Sequence, residues 1–168
     1  MAGFPQITEE DSKSFTETLN ELVLQSEATS ALIVEKAGYL IHQCGHCADF
    51  DTTQVATLAS NAFNATQFLA SLITETNFTG MYQQGERFST LILNVDENCL
   101  VVVIFKATLS VGMIKYYASI AIKCIADQLL IAQGRDNSGG IDLADLDPTN
   151  VSELFKRRET GESASTTP

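Results

Sequence analysis

The run Cys99-Leu-Val-Val-Val-Ile-Phe105 is apolar at every position. A strand with that pattern has no face for solvent, so it belongs at the centre of a sheet covered on both sides. The turn Asp96-Glu97-Asn98 leads back from it to a second strand, Phe88-Ser-Thr-Leu-Ile-Leu-Asn94. Before that lies Gly80-Met-Tyr-Gln83, the most polar of these strands and therefore an edge. An exposed edge invites pairing with another copy. Nearer the N-terminus, Ser30-Ala-Leu-Ile-Val-Glu35, the turn Lys36-Ala-Gly38 and Tyr39-Leu-Ile-His-Gln43 form a hairpin, with Gly38 suited to positive φ.

Three helices are expected among these strands. Thr8, with Asp11 three residues later, is a capping box that starts the first. Phe15, Leu19, Leu22 and Val23 give it one apolar stripe. Asp51 caps the second, which runs to Ile73. Ser110 caps the third, whose apolar face is Ile114, Ala118, Ala121, Ile122, Ile125, Leu129 and Ala132, and Gly134 ends it. The order helix, two strands, helix, three strands, helix predicts an α/β fold with a five-stranded antiparallel sheet and helices on both faces.

The second helix is unusual. No Lys, Arg, Asp or Glu occurs between Asp51 and Glu75. Val55, Leu58, Ala59, Ala62, Leu69 and Ile73 form an apolar stripe. The other side carries Ala56, Ser60, Asn61, Asn64, Ala65, Gln67, Phe68 and Ser71, with no charge. Depletion of charge marks the cores of protein interfaces, so this side is expected to meet a second protein. The alternative is a helix buried within one domain. Phe68 reads equally as core packing.

The composition narrows the function classes. A chain of 168 residues is sized for one domain with a tail. Its net charge of −11 disfavours nucleic acid and anionic membranes and favours a partner with a basic patch. No secretory leader or transmembrane stretch is legible, so a cytoplasmic location is expected.

Little in the chain points to catalysis. Cys44-Gly-His-Cys47 has the tetrapeptide of thiol-disulfide isomerases, yet Asp51 starts the next helix too late to lower a thiol pKa there. His42, Cys44, His46 and Cys47 are chemically fit for zinc, but so tight a cluster rarely closes a tetrahedron. Two free thiols in a polar loop are the simpler reading. Cys99 and Cys124 read as small core residues. Arg87 and Lys115 read as solvated. No phosphate loop and no Ser/His/Asp set is present, so no metal, cofactor or catalytic residue is expected.

The composition changes from Gly134 onward. Asp136-Asn-Ser-Gly-Gly140 reads as a linker. Asp147 as cap, Pro148 at the first helical position and Lys156-Arg-Arg158 at the end mark a short amphipathic helix over 147–158, with Val151, Leu154 and Phe155 apolar. So short a helix needs something to dock on, either this domain or a partner, or it stays disordered. The expected division is a domain over 1–133 and a flexible tail over 134–168.

The hairpin Ala31-Leu-Ile-Val-Glu-Lys-Ala-Gly-Tyr-Leu-Ile41, and Val101-Val-Val-Ile-Phe105 followed by Ser110-Val-Gly112, resemble the roadblock/dynein light chain family. Within it, the order of Asp51-Thr-Thr53, Phe78, Gly85 and Leu100-Val-Val-Val-Ile-Phe105, with a tail ending in Leu154-Phe155, is similar to the bacterial MglB-type polarity proteins. The resemblance implies a roadblock-type (longin-like) sheet with one helix on one face and two on the other. It implies a cytoplasmic homodimer joined through Phe78, Met81 and Tyr82 and through the second helices at Ala62 and Ala65. It implies a Ras-like small GTPase (MglA-type) as partner, in cell polarity or motility. The dimer would act as an activating protein that supplies no catalytic side chain. Ser60, Asn61, Asn64 and Phe68, with Val151, Leu154 and Phe155 of the tail, would touch that GTPase. Asn64 and Phe68 are larger than the residues the family places there. A dimeric scaffold or light-chain-like adaptor of the same fold is the alternative.

Overall fold

In the computed structural model, which describes residues 4–138, the elements run α1 (Glu9–Ser26), β1 (Ser30–Glu35), β2 (Leu40–Gly45), α2 (Thr52–Leu72), β3 (Gly80–Gln83), β4 (Phe88–Asn94), β5 (Cys99–Lys106) and α3 (Val111–Ser138). The five strands form one sheet in the order β2-β1-β5-β4-β3, and every neighbouring pair is antiparallel. β5 is central and β3 is an edge, as their polarity predicts. The second strand starts and ends slightly later than expected, so Cys44 lies within it rather than in the loop.

Strand alternation sorts the core into two layers. Ala31 and Ile33 of β1, Leu91 and Leu93 of β4, and Cys99, Val101, Val103 and Phe105 of β5 pack with α1 and α3. Leu32, Val34, Ile92, Leu100 and Val102 point the other way, onto α2. Register holds the layers together: Ile33 faces Val101, and Leu91 faces Val103. Each fully buried Leu, Val or Phe side chain contributes about 1.5–3 kcal/mol relative to exposure, so the doubly buried β5 is the main apolar contributor.

Local chemistry sets the helix starts. The Thr8 hydroxyl accepts from the Asp11 amide while the Asp11 carboxylate accepts from the Thr8 amide at 2.8 Å. Asp51 accepts from the Thr53 and Gln54 amides. Gly38 turns the β1–β2 hairpin at φ +101°, a conformation that costs other residues energy.

Gly134 does not end α3. The helix continues to Ser138, beyond the boundary expected at 133. The Arg135 guanidinium bonds the buried Asp11 carboxylate, and Gln128 Nε2 donates to the same group at 2.6 Å. That anchor on α1 outweighs the roughly 1 kcal/mol that an internal glycine costs a helix. Cys124 is exposed on α3 rather than a core residue, whereas Cys99 is buried. Asp136 to Ser138, expected to open a linker that runs to Gly140, are the last residues of α3; the rest of that expected linker and the short helix expected over 147–158, with Val151, Leu154 and Phe155, lie outside the described residues.

Candidate functional site

At about 100° per residue, α2 presents three sides. The side against the sheet is Ala56, Ala59, Ser60, Phe63 and Ala70. This differs from the expected stripe, of which only Ala59 is buried. The sheet selects small residues plus one large plug. Phe63 is fully buried, with its ring 5.0 Å from that of Phe78 and the Lys36 ammonium 5.6 Å from its centroid.

The second side grips the β1–β2 turn. Thr57 Oγ1 donates to Gly38 O at 3.2 Å, and the Ser60 hydroxyl and Asn64 Nδ2 both donate to Lys36 O. Ser60 is therefore corrected as a partner contact. It is fully buried, and its hydroxyl serves the turn. Asn64 remains exposed, but its amide is held at 3.1 Å by that same carbonyl. Asn61 and Phe68 lie further out and are free of the sheet, with Phe68 68% exposed. The core-packing alternative for Phe68 is thereby excluded within the described residues.

The third side is apolar and faces outward. Leu58, Leu69 and Leu72 are 66%, 58% and 66% exposed, and Ala62 and Ala65 share their side of the helix. This stripe flanks β3, since Thr66 Oγ1 reaches Met81 Sδ at 3.8 Å. Phe78 and Met81 are half-buried beneath α2, while Tyr82 is exposed on β3. Tyr82 stacks on Phe105 with ring centroids 6.2 Å apart and meets Ser89 Oγ at 3.3 Å. Among the described residues β3 pairs with β4 alone, so its outer edge carries no strand. The structure thus groups Ala62, Ala65, Phe78 and Met81 on one flank, with Asn61 and Phe68 beside it, whereas the Tyr82 side chain, stacked on Phe105, lies on the opposite face of the same edge strand. Leu58, Leu69 and Leu72 complete the outer patch. Leu58 and Leu69 belong to the expected apolar stripe, whereas Leu72 is not singled out in the sequence.

The titrating groups nearby are structural. Burial lowers the Lys36 pKa, against the opposing pull of Asp96, Cys99 and Glu97. Burial pushes the Cys47 thiol up, which makes it a poorer nucleophile. Cys44 Sγ donates to Asn20 Oδ1 at 2.6 Å, and His42 Nε2 lies 2.8 Å from Thr16 Oγ1. No group of three or more His, Cys, Asp or Glu among the described residues is arranged to hold a metal ion. No helix there is long and apolar enough to cross a membrane.

Myxococcus xanthus MglB is 26% identical and matches 73% of this chain and 92% of its own, with a TM-score of 0.68. The gliding protein MglB of Thermus thermophilus is 24% identical, matching 79% of this chain and all of its own at a TM-score of 0.70. An MglB solved in a tetrameric arrangement is also 24% identical, matching 79% of this chain and 99% of its own at 0.70. No curated protein matches in sequence. The Roadblock/LC7 domain model matches residues 15–105, from α1 through most of β5, and the chain belongs to that family.

Proposed function

We propose that this chain is a homodimeric regulator of a Ras-like small GTPase, acting as a GTPase-activating protein that supplies no catalytic side chain. The observation that carries this reading is the outward surface of α2. It is long, uncharged and apolar, with Asn61 and Phe68 exposed beside Leu58, Leu69 and Leu72. A solvated helix face is ordinarily charged, and charge depletion belongs to interface cores. Family membership supports a regulator or adaptor, and the likeness to MglB supports the narrower choice.

Two surfaces are proposed on α2. The stripe of Leu58, Ala62, Ala65, Leu69 and Leu72 meets the same stripe of a second copy, and the open β3 edge, with Phe78, Met81 and Tyr82, joins its twin. An isologous interface needs a self-complementary patch, and an apolar stripe beside an open strand edge is one. Asn61, Asn64 and Phe68 then line the dimer's outer surface, where an MglA-type GTPase docks. The GTPase's own residues would stabilise the transferring phosphoryl group. Val151, Leu154 and Phe155 of the tail are proposed to add contacts to it. The setting is a cytoplasmic polarity or motility system.

Single-turnover hydrolysis of GTP preloaded on a Ras-like GTPase from the same organism tests this. Faster hydrolysis on adding the protein is expected. Binding without acceleration would favour the adaptor role, and no binding to any such GTPase would remove the reading.

A further inference from the structure

α1 and α3 pack antiparallel, since the Asp11 end of α1 meets Gln128 and Arg135 near the end of α3. Their far halves leave a groove of about 330 Å³ between them. Leu22 and Ala121 form its floor, with Glu21 and Gln25 on one wall and Ile120 and Cys124 on the other. Ile120 is 48% exposed at the groove, one of several apolar residues that α3 leaves exposed, with Tyr116, Leu130 and Ile131. The groove lies across the sheet from α2 and is not part of the surfaces proposed there.

We infer that this groove is the docking site of the chain's own segment 147–158, through Val151, Leu154 and Phe155. Reach, shape and charge each support that occupant. The seventeen residues of α3 between Ala121 and Ser138 rise about 26 Å. The eight residues 139–146 span up to about 27 Å when extended. A segment starting at Asp147 can therefore reach back to the level of Ala121, beside the groove. The groove volume suits a few apolar side chains, and Val151, Leu154 and Phe155 fall on one side of a helix at three- and four-residue spacing.

Charge fixes the direction. A segment returning along α3 travels toward the C-terminal end of α1, and its last residues are Lys156, Arg157 and Arg158. That end of α1 carries Glu21 and Glu27 and has no basic residue in its last turn. Its free carbonyls and partial negative charge favour cations there. The tail supplies the three cations that α1 lacks. The same apolar side chains cannot touch the groove and a partner at once, so a tail-binding partner has to displace the groove contact. The inference stands apart from the identity of any partner, because it concerns the free protein.

Cys124 lines the groove and reports its occupancy. Alkylation of the full-length protein by iodoacetamide, resolved for each cysteine by peptide mass spectrometry, compares the native sequence with Leu154→Asp/Phe155→Asp. These changes lie outside the described core, so folding is not at risk. Cys124 is expected to react about tenfold faster in the variant, which corresponds to about 1.4 kcal/mol of docking. Cys44 on β2 is expected to react equally in both. The native Cys124 rate is expected not to vary with protein concentration. Equal Cys124 rates in the two proteins overturn the inference. So does protection that grows with concentration and ignores the substitutions, because the occupant would then be a second copy.

Discussion

Arg135, one residue past the glycine expected to end α3, bonds the carboxylate of Asp11 at the start of α1. Asp11 is fully buried and is also part of the capping box with Thr8. One carboxylate thus starts one helix and fastens the end of another.

Arg135→Ala removes the charge that offsets a buried carboxylate. It leaves Asp11 with Thr8 and Gln128 only, and a buried group that loses one charged partner costs about 2 kcal/mol. In a chain of this length that corresponds to a fall in Tm of roughly 4–8 °C. Thermal unfolding followed by circular dichroism checks it, and an unchanged Tm would show that the anchor contributes nothing.

The same carboxylate makes stability depend on acid. Burial acts to raise the Asp11 pKa, but hydrogen bonds from Arg135, Thr8 and Gln128 outweigh it and hold the group well below its ordinary 3.8. The folded state therefore binds this proton more weakly than the unfolded state does. Its contribution is fully present above roughly pH 5 and drains away as pH falls through 3.8 toward the folded value. Asp11→Asn is expected to lower stability at pH 7 and to flatten its decline between about pH 5 and pH 3. Parallel declines in both proteins would place the acid sensitivity elsewhere.

Two phenylalanines five residues apart on α2 are expected to behave oppositely. Phe63 is fully buried against Phe78 and beneath Lys36, so Phe63→Ala is expected to cost about 3–5 kcal/mol. Phe68 is 68% exposed, so Phe68→Ala is expected to shift stability by no more than about 0.5 kcal/mol. Urea titration of both variants reads the difference directly.

This pair also shows what the sequence made legible and what it withheld. Cys99-Leu-Val-Val-Val-Ile-Phe105 announced a central strand because no polar position interrupts it, and the two-faced sheet followed from that. The caps at Thr8 and Asp51 were readable because each depends on residues only two or three apart. The rotation of α2 was not readable. With no charge on any side, nothing in the helix marks which face meets water, and the apolar stripe fits the core as well as an interface. The sheet decided it by accepting Ala56, Ala59, Ser60 and Ala70 around the single ring of Phe63. The end of α3 was missed for a related reason. Gly134 is a local stop signal, whereas the partner that overrides it, Asp11, is more than a hundred residues away.

The outward stripe of α2 is proposed to hold the dimer. Leu69→Asp and Leu72→Asp each place a charge in a patch that would be desolvated on pairing, which costs several kcal/mol. Both side chains are exposed in the single chain, so folding is expected to survive. Sedimentation velocity is expected to show a dimer for the native protein and a monomer for either variant, with unchanged far-ultraviolet circular dichroism. A dimer that persists in both would exclude this stripe as the interface.

The proposed GTPase surface and the proposed dimer surface are separable on one helix. Asn61 and Phe68 project beside the apolar stripe, and neither donates to the β1–β2 turn as Ser60 and Asn64 do. Asn61→Arg and Phe68→Arg are therefore expected to leave Tm and dimer mass unchanged. A bulky charge at the centre of a docked interface commonly costs more than 2 kcal/mol, so stimulation of GTP hydrolysis is expected to fall at least about thirtyfold. Ser60→Arg is expected to behave differently. It buries a guanidinium where a hydroxyl bonds Lys36 O, and it is expected to lower Tm before any effect on a partner can be read. Loss of stimulation with Asn61→Arg and Phe68→Arg at unchanged Tm places the GTPase on this surface. Full stimulation by both stable variants would move the GTPase contact off α2 altogether.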